Sequence, residues 1–360
     1  MKLVWIVQDL HRGGGQRVVC ELSRILVRRG HEVEILYPRG RGGYPIPEGV
    51  RARPCGLDIE NPVASLSLSF PAILTVVPLC DWILCSMPLA ALAGMIAGRI
   101  RGARVLSYIM NDERTMFDDR TLIQSGFALG LYHLLTDLSH RFPVHFVVNS
   151  RWTASRVRRG RGGDFPVVPH GVDLSIFTQD GSRLETEGLF TLVCVGRRHR
   201  WKGMEDLING LRILKRDQPQ RLFQLWVITQ DSLEFKDIDF PVKIIQPKKD
   251  QEIAVHFRSA DVFLHPSWFE GFGLPPLEAM ACGTPVIITD SGGVREYARH
   301  DENCLIIPAR NPRALATAVA ELMDDPARRR RFSAAGLRTA RQFTWERAAD
   351  DLEAVLKSPQ

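Results

Sequence analysis

The stretch "DVFLHPSWFEGFGLPPLEAMACGTPVIITD", residues 261–290, reads as a strand, a loop rich in glycine and proline, a helix and a second strand. "DVFLHPS" and "TPVIITD" are short apolar runs bounded by turn residues. Pro275 and Pro276 suit the first turn of a helix, where a missing N–H costs nothing. The same grammar extends in both directions. "TLVCVGR", "FQLWVIT" and "VKIIQP" precede the stretch and "CLIIPA" follows it, with helical stretches between them. Earlier in the chain, "KLVWIVQ", "HEVEILY", "DWILCS", "ARVLSYIM" and "VHFVVNS" alternate with helical segments in the same way. In the first of these helices, the apolar positions 18, 19, 22, 25 and 26 recur at helical spacing. Strands alternating with helices indicate a parallel sheet covered on both faces. The texture turns polar and loses periodicity once, around residues 179–190. The reading is therefore α/β: two Rossmann-like, doubly wound domains facing a central cleft. Residues 1–178 form the first and 191–342 the second, with 179–190 as linker. The amphipathic segment 343–357 is placed as a helix packing back on the first domain.

Composition narrows the class. The 360 residues are 45% apolar and 24% charged, which suits a soluble globular chain with two cores. Of the net charge of +6, nearly all is N-terminal: residues 1–180 hold 21 Lys and Arg against 16 Asp and Glu, leaving 26 against 25 for the remainder. That mild excess suits an anionic partner and does not call for nucleic acid. Seven cysteines are scattered without paired CxxC spacing, which points to a reducing cytoplasm rather than a disulfide framework. The opening "MKLVWIVQDLHRGGG" reads as a first strand and not a signal peptide. The apolar stretch Val63–Ile100 is interrupted by Pro71, Pro78, Asp81 and Pro88, so no window of about 20 apolar residues remains to span a membrane.

Three places carry candidate chemistry. After "TLVCVG", Arg197 and Lys202 stand five apart in a loop that leads into a helix, an arrangement that suits a pyrophosphate. Read alone, that loop serves equally as a solvated basic turn. In "WFEGFGLPPLEAM", Gly271 and Gly273 let backbone amides approach a ligand, and Glu278 is expected in the first helical turn, where a carboxylate can accept two vicinal hydroxyls. Glu270, on the other flank, is placed to grip the hydroxyls of a second sugar; read alone, the two acids are a cap and a loop acid. "HRGGGQRVV" has the look of a phosphate-binding turn but lacks both GxGxxG and the Walker Lys-Ser/Thr, so ATP hydrolysis is not indicated.

Together these stretches resemble the retaining family-4 glycosyltransferases of the GT-B fold (glycosyl transferases group 1). "GGGQRVVCELSRILVRRGHEV", "VVPHGVDLSIF", "VGRRHRWKG", "HPSWFEGFGLPPLEAMACGTPVIITDSGGVREY" and "FTWERAADDL" follow that family's order over nearly the whole chain. The resemblance implies that Arg197 and Lys202 bind a donor diphosphate, assisted by the backbone of Gly271, Phe272, Gly273 and Leu274. It implies that Glu278 holds the nucleotide ribose and Glu270 a donor-sugar hydroxyl. Lys248 falls where the family contacts the nucleobase through its backbone, and Gly13 and Gly14 where the first domain approaches the donor. The sequence departs from the family at "SYIMNDERTMF", where many relatives carry a histidine and Asn111 stands instead, followed by Asp112.

The expected activity is a cytoplasmic hexosyl transfer with retention, the departing phosphate taking the acceptor proton. No metal and no cofactor are expected beyond the co-substrate, a UDP-, GDP- or dTDP-sugar. The acceptor is read as a saccharide, lipid-linked or natural-product molecule, as in the synthesis of surface polysaccharides or glycoconjugates. "DID" at 237–239 is read as a surface turn, not a metal site. The basic "SRWTASRVRRGRGG" reads either as a solvated helix face or as a peripheral contact with the inner face of a membrane. The rival readings are a sugar-nucleotide epimerase of the same fold and a degenerate module that only binds nucleotide sugars.

Overall fold

A computed structural model describes residues 1–11, 13–40, 42–56, 69, 71–117, 126–157 and 164–358. The chain divides into two compact units, Met1–Gly171 with Trp345–Gln360, and Val172–Thr344.

The first unit is a six-stranded parallel sheet in the order β3-β2-β1-β4-β5-β6, built from β1 (Lys2–Ile6), β2 (Glu32–Pro38), β3 (Arg51–Cys55), β4 (Trp82–Cys85), β5 (Arg104–Ile109) and β6 (His145–Val148). The helices described with it are α1 (Gly14–Arg28), α2 (Pro88–Arg101), α3 (Glu113–Phe117), α4 (Gly126–Ser139) and α5 (Arg151–Val157), with α11 (Trp345–Lys357) returning from the far end of the chain. The inner strands are buried almost throughout, as expected of a sheet covered on both faces. Val18, Val19, Leu22, Ile25 and Leu26 form the buried stripe of α1. β3, "RARPC", has no counterpart in the sequence reading. It is an edge strand, largely exposed and carrying Pro54, so it shows neither apolar alternation nor a continuous apolar run. α11 is fixed to this unit by charge: Arg29 reaches Asp350 at 2.8 Å and Glu353 at 3.3 Å. Of the basic segment 150–163, residues 158–163 lie outside the described residues, as do 57–68 and 70. Among the described residues no helix is long and apolar enough to cross a membrane.

The second unit repeats the plan. Its sheet runs β12-β11-β10-β7-β8-β9, all parallel, from β7 (Phe190–Val195), β8 (Phe223–Ile228), β9 (Val242–Ile245), β10 (Val262–His265), β11 (Val286–Thr289) and β12 (Leu305–Ile307). The helices are α6 (Met204–Asp217), α7 (Asp250–Ser259), α8 (Leu274–Ala281), α9 (Pro312–Asp324) and α10 (Pro326–Ala340). The core gathers Leu192, Leu207, Leu211, Leu225, Val262 and Leu264 with Leu315, Val319 and Phe332 of α9 and α10. In this sheet the strand order reverses between β7 and β10, which are hydrogen-bonded neighbours, so the crevice at their carboxyl ends is a topological switch point.

The division differs from the sequence reading at the boundary between the units. The second unit begins at Val172, and residues 179–190, expected as a linker, belong to it. The buried Arg258 of α7 explains why: its guanidinium donates to the carbonyls of Thr178 (2.8 Å), Asp180 (2.8 Å) and Ser182 (3.1 Å). Polar sequence here reflects a backbone satisfied by one arginine, not a free connection. Arg258→Ala removes all three bonds, so we expect a loss of about 2–4 kcal/mol in urea unfolding, since hydrogen bonds to charged groups are each worth about 1.5–3 kcal/mol and do not add.

Candidate functional site

The switch point of the second unit assembles residues that stand far apart in sequence. The loop after β7 makes a short 3-10 turn, Arg200–Lys202, closed by Gly203 in the left-handed region at φ 69°. A β-carbon on Gly203 would lie 2.1 Å from the carbonyl oxygen of Pro266, at the end of β10, so only glycine allows this approach. The Trp268 amide donates to the Trp201 carbonyl at 2.8 Å, tying the two loops again. Trp201 lies between His199 (5.9 Å) and Phe269 (4.9 Å) in a stack of rings, with the Lys202 ammonium 4.1 Å above its centre.

These constraints deliver Lys202 Nζ to Glu270 Oε1 at 2.6 Å. The same carboxylate oxygen lies 3.5 Å from Nε2 of His265, the last residue of β10. Glu270 is buried, and burial by itself pushes its carboxyl up. The Lys202 ammonium and the nearby imidazole outweigh that and hold it well below the ordinary carboxylate range. Its backbone is fixed from β11: the Glu270 amide donates to Ser291 (2.7 Å), and its carbonyl accepts from Gly293 (3.0 Å). Gly293 passes so close that a β-carbon would be 1.9 Å from the Gly271 oxygen.

Beyond Glu270, α8 begins at Leu274 with prolines in its first turn, and the Tyr297 hydroxyl donates to the Gly273 carbonyl at 2.6 Å. Glu278 is the fifth residue of the helix and lies in its second turn, not the first. It is buried, at 5% exposure. The Phe272 ring packs on Tyr297 and Phe343, so its side chain serves the core. Arg197 is turned to Asp231, beyond β8, with Nε 3.2 Å from the carboxylate, and is not brought to Lys202's partner. Lys248, after β9, is exposed, and its amide is taken by the Glu252 side chain at 3.1 Å. "DID" lies in a turn whose Asp237 carbonyl accepts from Arg212. Sequence reasoning passed over His265, Asp231 and Tyr297. A histidine closing the strand before the glycine loop was the one signal available for them.

The first unit holds the remaining candidates. α1 begins at Gly14, and a side chain at Gly14 or Gly15 would meet nothing within 4 Å. Asn111 follows β5, its side-chain oxygen accepting the Asp112 amide at 2.9 Å. Asn149 Nδ2 donates to the Met110 carbonyl at 2.6 Å, which fixes this turn from the end of β6. Asp112 accepts from Arg156 Nε (2.5 Å) and Thr115 (2.8 Å); burial opposes its charge, but those two bonds lower it. Next to it Glu113 accepts from the Tyr132 hydroxyl at 3.0 Å. Burial, reinforced by the Asp112 charge, pushes Glu113 up to about 8 against that bond. Ser107, Asn111, Asp112, Glu113, His140 and Arg156 border a recess of about 20 Å³, roughly the room of one water.

Residues 176–339 match the model described as glycosyl transferases group 1, and residues 12–176 match glycosyltransferase family 4. The chain belongs to the family-4 glycosyltransferases. The chain is 33% identical over 214 residues to a D-inositol 3-phosphate glycosyltransferase of Kineococcus radiotolerans, covering 51% of this chain and 49% of that one. A counterpart from Pseudarthrobacter chlorophenolicus is 32% identical over 225 residues, covering 57% and 54%. The chain thus matches about half the length of these curated relatives. In structure it is similar to a sucrose-phosphate synthase from Thermosynechococcus elongatus (TM-score 0.82, 20% identity, 98% of each chain). It is also similar to the Anabaena protein HepE, solved with UDP-glucose (0.76, 18%, 100% of each). WaaG, a glycosyltransferase of lipopolysaccharide biosynthesis, gives 0.79 at 13% identity over 99% of this chain and 100% of that one. At these identities the structural likeness shows the GT-B fold alone.

Glu113 offers a pH test. Its folded-state value is raised from 4.5 to about 8, so the folded protein holds a proton that the unfolded chain releases. The stability this proton confers is complete below pH 4.5 and is lost as pH rises toward 8. In thermal melts, Glu113→Gln is expected to melt above wild type at pH 8, with the difference shrinking toward pH 5. A parallel pH dependence in both proteins would refute the assignment.

Proposed function

We propose that the protein transfers a sugar with retention from a nucleoside-diphosphate donor bound in the second unit to a carbohydrate or lipid-linked acceptor. The observation that carries this reading is the Lys202–Glu270 pair at the β7–β10 switch point, beside the start of α8. On this reading the Lys202 ammonium and the backbone amides at the start of α8 receive the diphosphate, and the buried Glu270 carboxylate, one step away, receives sugar hydroxyls. Glu278, buried one turn into α8, is assigned to the ribose. HepE's complex with UDP-glucose and the glycosyltransferase relatives support a nucleotide-sugar donor.

In the proposed reaction, the bond between the anomeric carbon and the β-phosphate oxygen breaks as the acceptor hydroxyl attacks from the same face. The electron pair leaves with the diphosphate, whose growing charge Lys202, Arg197 and the Gly273 and Leu274 amides stabilise. The acceptor proton passes to the departing phosphate oxygen, so neither glutamate shuttles it. On this reading protein cations do the work that a divalent metal does elsewhere, and activity is expected to persist in EDTA. A place at the inner face of a membrane would suit a lipid-linked acceptor.

Calorimetric titration with UDP, GDP, dTDP and ADP identifies the donor base. Glu278→Ala is expected to weaken binding of the preferred nucleotide about tenfold, the loss of about 1.4 kcal/mol of hydroxyl contacts. Lys202→Ala is expected to lower turnover about 100-fold or more, the usual scale for removing one group that stabilises a developing charge. Unchanged binding and turnover in both variants would reject the site.

A further inference from the structure

The assigned phosphate-binding cation is already engaged. Lys202 Nζ sits on Glu270 Oε1 at 2.6 Å, so a diphosphate must compete with an internal carboxylate for it. The pair is largely shielded from water, with Lys202 22% exposed and Glu270 10% exposed in their side chains. Drawing the ammonium away from a shielded carboxylate leaves a buried charge without its counter-ion, a costly state. One group stands ready to meet it. His265 is 6% exposed, and its Nε2 lies 3.5 Å from the same Oε1, beyond a good hydrogen bond. That nitrogen is buried and, among the described residues, makes no hydrogen bond. The ring is held in place: it stacks on Phe263 at 6.4 Å, and the His265 carbonyl accepts from Thr289 at 3.2 Å. A buried imidazole nitrogen without a partner is expensive unless some state of the protein uses it.

Resting on the donor-site reading above, we propose that donor binding hands Lys202 over from Glu270 to the diphosphate, and that His265 then closes on Glu270 and holds its carboxylate toward the donor sugar. His265 is thereby a positioning residue: it acts through Glu270 and touches neither phosphate nor sugar. The handover divides donor recognition into two parts. The nucleoside diphosphate draws on Lys202 at the expense of the Lys202–Glu270 bond. The sugar draws on Glu270 and depends on His265. Free Glu270 and a bound diphosphate therefore oppose each other until a sugar is present to engage the carboxylate.

The test separates these parts by titrating UDP, GDP, dTDP and ADP, then the matching nucleotide sugar, into the full chain. Glu270→Gln removes the competing charge, so the preferred nucleoside diphosphate should bind about threefold to tenfold tighter than to wild type. An ion pair that only stabilises the fold would leave that affinity unchanged or weaken it, and either result overturns the handover. His265→Leu should leave the nucleoside diphosphate affinity within about twofold while weakening the nucleotide sugar about tenfold. His265→Gln, which keeps an N–H donor near the Nε2 position, should restore most of the loss. Equal weakening of both ligands, or no rescue by glutamine, overturns the positioning role, and glutamine alone decides it should the leucine variant fail to fold. If wild type binds none of the four diphosphates, the donor site itself is rejected and the inference falls with it.

Discussion

The parallel pairing of β7 with β10 is the constraint on which the rest of the second unit depends. Leu192, Val193 and Cys194 stand opposite Val262, Phe263 and Leu264, so both strands end at the same edge. The chain leaves β7 toward α6 and β10 toward α8, and the space between the departing loops is the crevice. Lys202 and Glu270, 68 positions apart, meet there because their loops are pinned at Gly203 and Trp201. Shifting the strand pairing by one residue would turn the side chains to the other face and separate this pair.

A second theme is how the molecule pays for buried charge. Arg258 is offset by three carbonyls of its own unit, Glu270 by a lysine, and Asp112 by Arg156 and Thr115. Glu113 takes the other course: with only a tyrosine hydroxyl and an acidic neighbour, it keeps its proton. The arrangements differ in what they allow. Arg258 is held by three backbone carbonyls. Lys202 is held by a single carboxylate on a flexible stem, and an anion can take it over.

Much of this was legible in the sequence. Apolar runs and helical periodicity announced both sheets, and the Gly-rich, Pro-rich loop with Glu270 and Glu278 marked the candidate site at the switch point. Three things were not. β3 lies at an edge, so half-exposed "RARPC" carries no apolar signature. Residues 179–190 read as linker because the arginine that satisfies the Asp180 and Ser182 carbonyls lies on α7, 78 and 76 positions away. His265 looked like an ordinary strand-end residue until the fold set its ring beside Glu270.

The sequence by itself determined the local elements, since periodicity, prolines at α8 and the glycines of the turns act over a few residues. It also determined the family, because the order of those motifs along the chain needs no coordinates. Only the tertiary structure decided which groups meet: that Lys202 is paired with Glu270, that Arg197 turns to Asp231, and that Glu278 falls in the second turn of its helix. The physical reason is that such contacts depend on strand order and register. Those are set by the summed burial of many apolar side chains in two sheets, and no short stretch of sequence carries that sum.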